Sequence, residues 1–144
     1  MGATAGRTTL NGEGLQHQDG HSLLMASAVP ACRAWDPAYA YELATIIRHG
    51  INEMWRDNMD VIHYVMLYNE NQQQLPKPEG ADYGIIKGAY KVQESEAESP
   101  SQIRILGSGP ILQYAREAAT QLQSEHGVSS EVWSVTSYGD LRRE

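Results

Sequence analysis

The sequence predicts an α/β fold in which helices alternate with parallel strands. Three observations predict it. Residues 61–68 (Val-Ile-His-Tyr-Val-Met-Leu-Tyr) are nearly all apolar, β-branched or aromatic and show no polar alternation, as expected of a strand covered on both faces. Before them, Leu43, Ile46, Ile47, Ile51, Met54 and Trp55 recur at gaps that place one apolar stripe on a helix. Near the C-terminus a strand, a glycine turn, a helix-period segment and a second strand follow one another as a βαβ unit.

Taken in order, residues 10–22 (Leu-Asn-Gly-Glu-Gly-Leu-Gln-His-Gln-Asp-Gly-His-Ser) carry neither a strand nor a helix period and read as a loop. Gly12, Gly14 and Gly20 permit a close backbone approach to a ligand. Glu13, His17, Asp19 and His21 concentrate titratable chemistry there, and an imidazole exchanges protons near neutral pH. On composition alone a plain solvated loop is an equal alternative. His17 and His21 have the spacing of a helical metal pair. Asp19 and Gly20 put a helix start between them, however, and no third ligand is placed by spacing.

Asp19 reads as the N-cap of a short helix through Leu23, Leu24 and Ala26 that Pro30 ends. Residues 31–35 form a short strand. Asp36-Pro37 has the pattern of an N-cap followed by a first-turn proline, so a helix is expected over 37–56, slightly weakened by Gly50. His63, inside the apolar strand, reads as a satisfied core histidine. Asn69-Glu70-Asn71 follows that strand at its carboxyl end, where α/β sheets gather ligands. Residues 72–80, with Pro76 and Pro78, form a loop. A short helix over 81–87 and a strand over 89–92 complete the first part.

Residues 94–102 lie in a polar, acidic stretch without large apolar side chains, the composition of a linker. The expected division is therefore 1–93, a linker at 94–102, and a second unit over 103–144. That unit opens with a strand at 103–106 and the turn Gly107-Ser108-Gly109-Pro110. A helix over 111–125 closes at His126-Gly127, with glycine just past its end. A strand at 131–135 follows, then the start of another helix with Ser137 as cap. The Gly107-Ser108-Gly109 turn before a helix has the makings of an anion site. It lacks the third glycine of a dinucleotide fingerprint, and Pro110 removes an amide donor, so a plain strand–helix turn is the stronger reading.

Composition narrows the function classes. The chain has 144 residues and a formal charge of −7, with scattered basic residues, which argues against nucleic-acid binding. No apolar run approaches the ~20 residues of a membrane span. The N-terminus has no secretory pattern, and the single cysteine, Cys32, reads as a small buried hydrophobe in a reducing, cytoplasmic protein.

The run from Gly6 to Ser22, with Asp36-Pro37-Ala38-Tyr39-Ala40-Tyr41-Glu42, Asn69-Glu70-Asn71, Pro78-Glu79-Gly80, Gly84-Ile85-Ile86-Lys87-Gly88, Leu106-Gly107-Ser108-Gly109 and Ser134-Val135-Thr136-Ser137, resembles the homodimeric bacterial pyruvate dehydrogenases. The resemblance spans essentially the whole chain; more distantly, the loop is similar to the histidine loop of transketolases. It implies the second half of a transketolase-like pyrimidine-binding domain, a parallel sheet between helices, followed by the first βαβ unit of a transketolase C-terminal-like domain. It implies thiamine diphosphate-dependent decarboxylation of pyruvate, on the way from glycolysis to acetyl-CoA, and reductive acetylation of the lipoyl group of dihydrolipoyl acetyltransferase. By the same resemblance His17 is an active-site and substrate-binding histidine, Gln16 a substrate contact and Glu13 an acidic catalytic position. The Mg2+–diphosphate motif and the cofactor-activating glutamate of the family have no counterpart in residues 1–144. The expectation is a piece of such an enzyme, inactive alone and dependent on a missing N-terminal portion. Gln72-Gln73-Gln74 departs from the family pattern. The alternatives are a non-catalytic α/β binding or regulatory module, or a piece of a related transketolase-like enzyme.

Overall fold

The computed structural model describes residues 2–3, 14–94 and 102–143. Three strands, β1 (Gly2–Ala3), β2 (Cys32–Trp35) and β3 (Ile62–Met66), form a parallel sheet in the order β1-β3-β2. The apolar run is thus the central strand, as its composition predicts, although Ile62 at its amino end is half exposed. Arg33 pairs with His63 and Trp35 with Val65, so these alternate residues share one face. Helices α2 (Ala40–Ile51) and α3 (Ala81–Lys87) supply Ile46, Ala81 and Ile85 to a core with Trp35 and Tyr90. Trp35, Ile46 and Ile85 are wholly buried. Each such side chain contributes roughly 1.5–3 kcal/mol. Short helix α1 (Ser22–Ser27) packs on β2.

The helix expected over 37–56 starts later and ends differently. Its first residue is Ala40, and after Ile51 it continues as one π-type turn, Asn52–Arg56. Asp36 does not cap it. The Asp36 carboxylate instead accepts the Tyr68 hydroxyl, and the Asp36 backbone bonds to Thr136 and Gly109. Capping falls to Glu42, whose carboxylate accepts the free amides of Ala38 and Tyr39. The predicted apolar stripe divides as well. Ile46 is buried, while Ile47 and Ile51 are about half exposed and Trp55 is 85% exposed. The buried side of the helix and its π turn carries Glu42, Thr45, Ile46, Gly50 and Glu53. Hydrophobic periodicity cannot find a face whose acids are matched to specific partners.

The second sheet has the order β4-β6-β5, from β4 (Ala89–Gln93), β5 (Gln102–Gly107) and β6 (Ser129–Val135). β5 and β6 are parallel and joined by α4 (Ile111–His126), which is the expected βαβ unit. β4 lies ahead of the expected linker yet pairs antiparallel with β6; residues 95–101 of that linker lie outside the described residues. Leu112, Ala115 and Ala119 of α4 pack on Val132. Gly127, at φ 63°, ends α4 in the left-handed conformation glycine accommodates. Ser137 caps α5 (Tyr138–Arg143) by accepting the Asp140 amide at 3.1 Å. Among the described residues no helix is long and apolar enough to cross a membrane.

The two sheets are sewn together by polar groups. Asp36 N donates to Thr136 O at 2.8 Å, and Ser137 Oγ to Ala34 O at 2.8 Å. Fully buried Glu42 also accepts from Tyr90 Oη at 2.6 Å and Ser134 Oγ at 2.7 Å, both in the second sheet. A buried carboxylate is tolerable with this many donors.

Candidate functional site

The histidine loop is anchored to the first sheet by its C-terminal half. Asp19 accepts the Ser22 amide at 3.1 Å and the Ser22 hydroxyl, so it holds the start of α1 from two residues ahead of the N-cap position, which His21 occupies instead of the expected Asp19. Ser22 Oγ also lies 3.7 Å from Sδ of Met66, the last residue of central strand β3. The loop therefore sits at the carboxyl end of a parallel sheet, where the strands deliver their following loops to a ligand.

Gln16 and His17 lie on one 3-10 turn, Leu15–His17, closed by His17 N donating to Gly14 O at 2.9 Å. Both side chains are exposed. A Cβ on Gly14 would come within 2.1 Å of Gln16 Oε1, so a larger residue there would displace the Gln16 side chain. Glu13 lies outside the described residues. His21 is exposed at the N-cap position of α1. Among the described residues no three His, Cys, Asp or Glu converge on a metal position.

Next to the loop's anchor, a cleft of about 140 Å3 opens between Met66–Tyr68, the N-terminus of α2 and the segment after β3. Glu70, Gln72 and Gln74 border it, and Gln74 Oε1 accepts the Ala40 amide at 2.8 Å. Gln74 thus ties the unusual glutamine run to the start of α2. The Gly107-Ser108-Gly109 turn is a packing joint. Gly109 N donates to Asp36 O at 3.1 Å, and a Cβ on Gly109 would meet Tyr68 Oη at 2.7 Å.

Sequence reasoning missed a second polar cluster, centred on Glu53. Trp35 Nε1 donates to His63 Nδ1 at 3.0 Å, so neutral His63 carries its proton on Nε2 and donates to Glu53 Oε2 at 3.0 Å. Burial pushes the His63 pKa below its ordinary value, against the pull of Glu53. Arg33 pairs with Glu53 Oε1 at 3.0 Å and approaches Asp140 Oδ2 at 3.7 Å. Arg143 donates to Cys32 O at 2.9 Å and lies 3.5 Å from Asp140 Oδ1. Burial raises the Asp140 pKa, while Arg33 and Arg143 oppose that shift. Only His63 in this cluster carries a sequence signal, as a polar residue inside an apolar strand; the rest meet from separate elements.

Comparisons with known proteins agree with this architecture. Residues 1–75 match the family model of the pyruvate dehydrogenase E1 component middle domain, and residues 88–144 that of the transketolase-like C-terminal domain. The chain is 51% identical over 144 residues to the pyruvate dehydrogenase E1 component of Pseudomonas aeruginosa and 48% identical over 145 residues to that of Escherichia coli K12. All of this chain aligns in each case, and it spans 16% of the length of each relative. Among solved structures, a transketolase from Pichia stipitis superposes with a TM-score of 0.73 over 99% of this chain and 19% of its own, at 19% identity, which shows the shared fold. With more than half its length under the middle-domain model and its whole length aligned to these relatives, the chain belongs to the pyruvate dehydrogenase E1 component family.

Proposed function

We propose that this chain carries the histidine loop of a cytoplasmic, homodimeric, thiamine diphosphate-dependent pyruvate dehydrogenase. That enzyme decarboxylates pyruvate and reductively acetylates the lipoyl group of dihydrolipoyl acetyltransferase. The observation that carries the proposal is the placement of Gln16 and His17, exposed on one tight turn at the carboxyl end of a parallel sheet. In this reading His17 hydrogen-bonds the substrate carboxylate or a developing oxyanion and relays a proton. Gln16 orients the substrate, and Glu13 orients His17. Thiamine diphosphate, with Mg2+, supplies an electron sink for the bond cleavage when bound. The roles assigned to this segment are binding, orientation and proton transfer. The proposed domain division follows the composition: 1–93, linker 94–102 and 103–144.

The test is pyruvate decarboxylation by a full-length protein containing this segment, with His17→Ala beside the parent. The expected loss is ~10²–10⁴-fold in turnover. Full turnover in His17→Ala overturns the assignment. The isolated 144-residue chain is expected to release no carbon dioxide from pyruvate.

A further inference from the structure

An exposed histidine on a loop serves catalysis only when the loop is held. Catalytic groups have to keep their place to within about 0.5 Å and about 10–20°. The bond from His17 N to Gly14 O, 2.9 Å long, closes the turn on itself. It sets the shape of the turn and leaves its place over the sheet open. Packing does not hold the far side of the loop, because a Cβ on Gly20 would meet nothing within 4 Å.

Asp19, two residues after His17, reaches from the turn toward the core. It is half-buried where Gln16 and His17 are exposed. Its carboxylate takes both polar hydrogens of Ser22, the amide at 3.1 Å on Oδ1 and the hydroxyl on Oδ2. Two bonds to one carboxylate fix orientation as well as distance, and an ionised acceptor strengthens both. Ser22 is itself fixed, as the first residue of α1, and its Oγ lies 3.7 Å from Sδ of Met66. The hydroxyl has one proton and gives it to Asp19, so the sulfur contact is packing. Met66 ends the central strand and is wholly buried. Close-packed interior side chains transmit position with little slack. A short path of Asp19, Ser22 and Met66 thus joins the exposed turn to the core of the first sheet.

We propose that Asp19 is the positioning residue of the histidine loop: through its paired bonds to Ser22 it holds His17 where the imidazole meets the substrate. The inference rests on the role proposed for His17 and gives Asp19 no contact with substrate. What Asp19 supplies is geometry, and asparagine preserves it. The asparagine carbonyl accepts the Ser22 amide, and its NH2 donates to the Ser22 hydroxyl oxygen. Alanine keeps neither bond.

The experiment is pyruvate decarboxylation by a full-length protein containing this segment, with Asp19→Ala, Asp19→Asn, His17→Ala and the double variant Asp19→Ala/His17→Ala. Asp19→Ala is expected to lose about 10–100-fold in turnover, the scale of a displacement on the order of 1 Å. Asp19→Asn should keep most of the parent's turnover. In the His17→Ala background Asp19→Ala should cost nothing further, because the group it positions is gone. A merely structural role would lower turnover by the same factor in both backgrounds. Amide hydrogen exchange over residues 14–22, measured without substrate, should quicken in Asp19→Ala and match the parent in Asp19→Asn.

Full turnover in Asp19→Ala, losses that multiply in the double variant, an Asp19→Asn as impaired as Asp19→Ala, or unchanged exchange in Asp19→Ala overturns the proposal. Full turnover in His17→Ala instead removes the role of His17 on which it rests, so the two failures are read from different variants. If Asp19→Ala does not fold, Ser22→Ala goes through the same cycle. It deletes one of the two bonds, so a smaller loss with the same non-additivity is expected, and a multiplying loss overturns the proposal.

Discussion

His17 and His63 belong to the same sheet unit and use one side chain in opposite ways. His17 rides an exposed turn whose hydrogen bonds are local backbone and loop contacts. His63 sits in the central strand with one ring nitrogen accepting from Trp35 and the other facing Glu53. The first is open to solvent, and the second is held by its two partners within the packing. A titratable side chain on an exposed turn is solvated without dedicated partners. The same side chain in the strand interior needs dedicated partners to be there at all.

The comparison breaks most visibly in activity. In the full-length protein, the ~10²–10⁴-fold loss expected for His17→Ala should leave the thermal midpoint of unfolding unchanged. A fall in stability that matched the fall in turnover would remove the distinction between the two histidines.

His63→Ala should do the reverse. It strands the buried Trp35 indole N–H and takes a donor from Glu53, a loss of roughly 2–5 kcal/mol. Urea unfolding of the chain at pH 7 measures it, and a loss below ~1 kcal/mol would mean that the cluster relaxes freely.

The same site sets a pH dependence. The pKa of His63 is lower in the folded chain than its ordinary 6.5, because burial disfavours the charged ring. Its contribution to stability is therefore complete above the unfolded value, about 6.5, and is lost as the pH falls through the lower folded value. Protonation at Nδ1 would also evict the Trp35 donor. Unfolding measured across pH 5–8 should show this drop in the parent chain and a smaller one in His63→Gln.

Gly50→Ala sharpens the contrast further. A Cβ at position 50 would stand 3.1 Å from the His63 ring, which its two hydrogen bonds hold in place. The overpacking cost, ~1–3 kcal/mol, exceeds the ~1 kcal/mol that alanine gains over glycine in a helix. The chain should lose about 1 kcal/mol net. A gain in stability would show that His63 can move. The smallest effect belongs to Trp55→Ala, on the outward face of the π turn. Trp55 is 85% exposed where Trp35 is fully buried, so its removal should change the stability of the chain by less than ~0.5 kcal/mol.

Local chemistry determined much of this protein in advance. The Asp19–Ser22 contact, the Ser137 cap and the glycine end of α4 rest on contacts within a few residues, and the central strand and the βαβ unit announce themselves through patterns inside their own segments. The loop carrying Gln16 and His17 was legible because glycines and titratable residues without a period mark a segment that no core claims. Tertiary structure alone decided where α2 begins, because Asp36 has to choose between its own helix and Tyr68, Thr136 and Gly109, and it chooses them. It also decided that Glu42, Glu53 and Asp140 are buried. A charge enters a core only when partners converge on it, most of them from other segments: Tyr90 and Ser134 for Glu42, His63 and Arg33 for Glu53, and Arg33, with Arg143 of its own helix, for Asp140. No periodicity in the sequence records that convergence, since the free energy of each group depends on atoms tens of residues away.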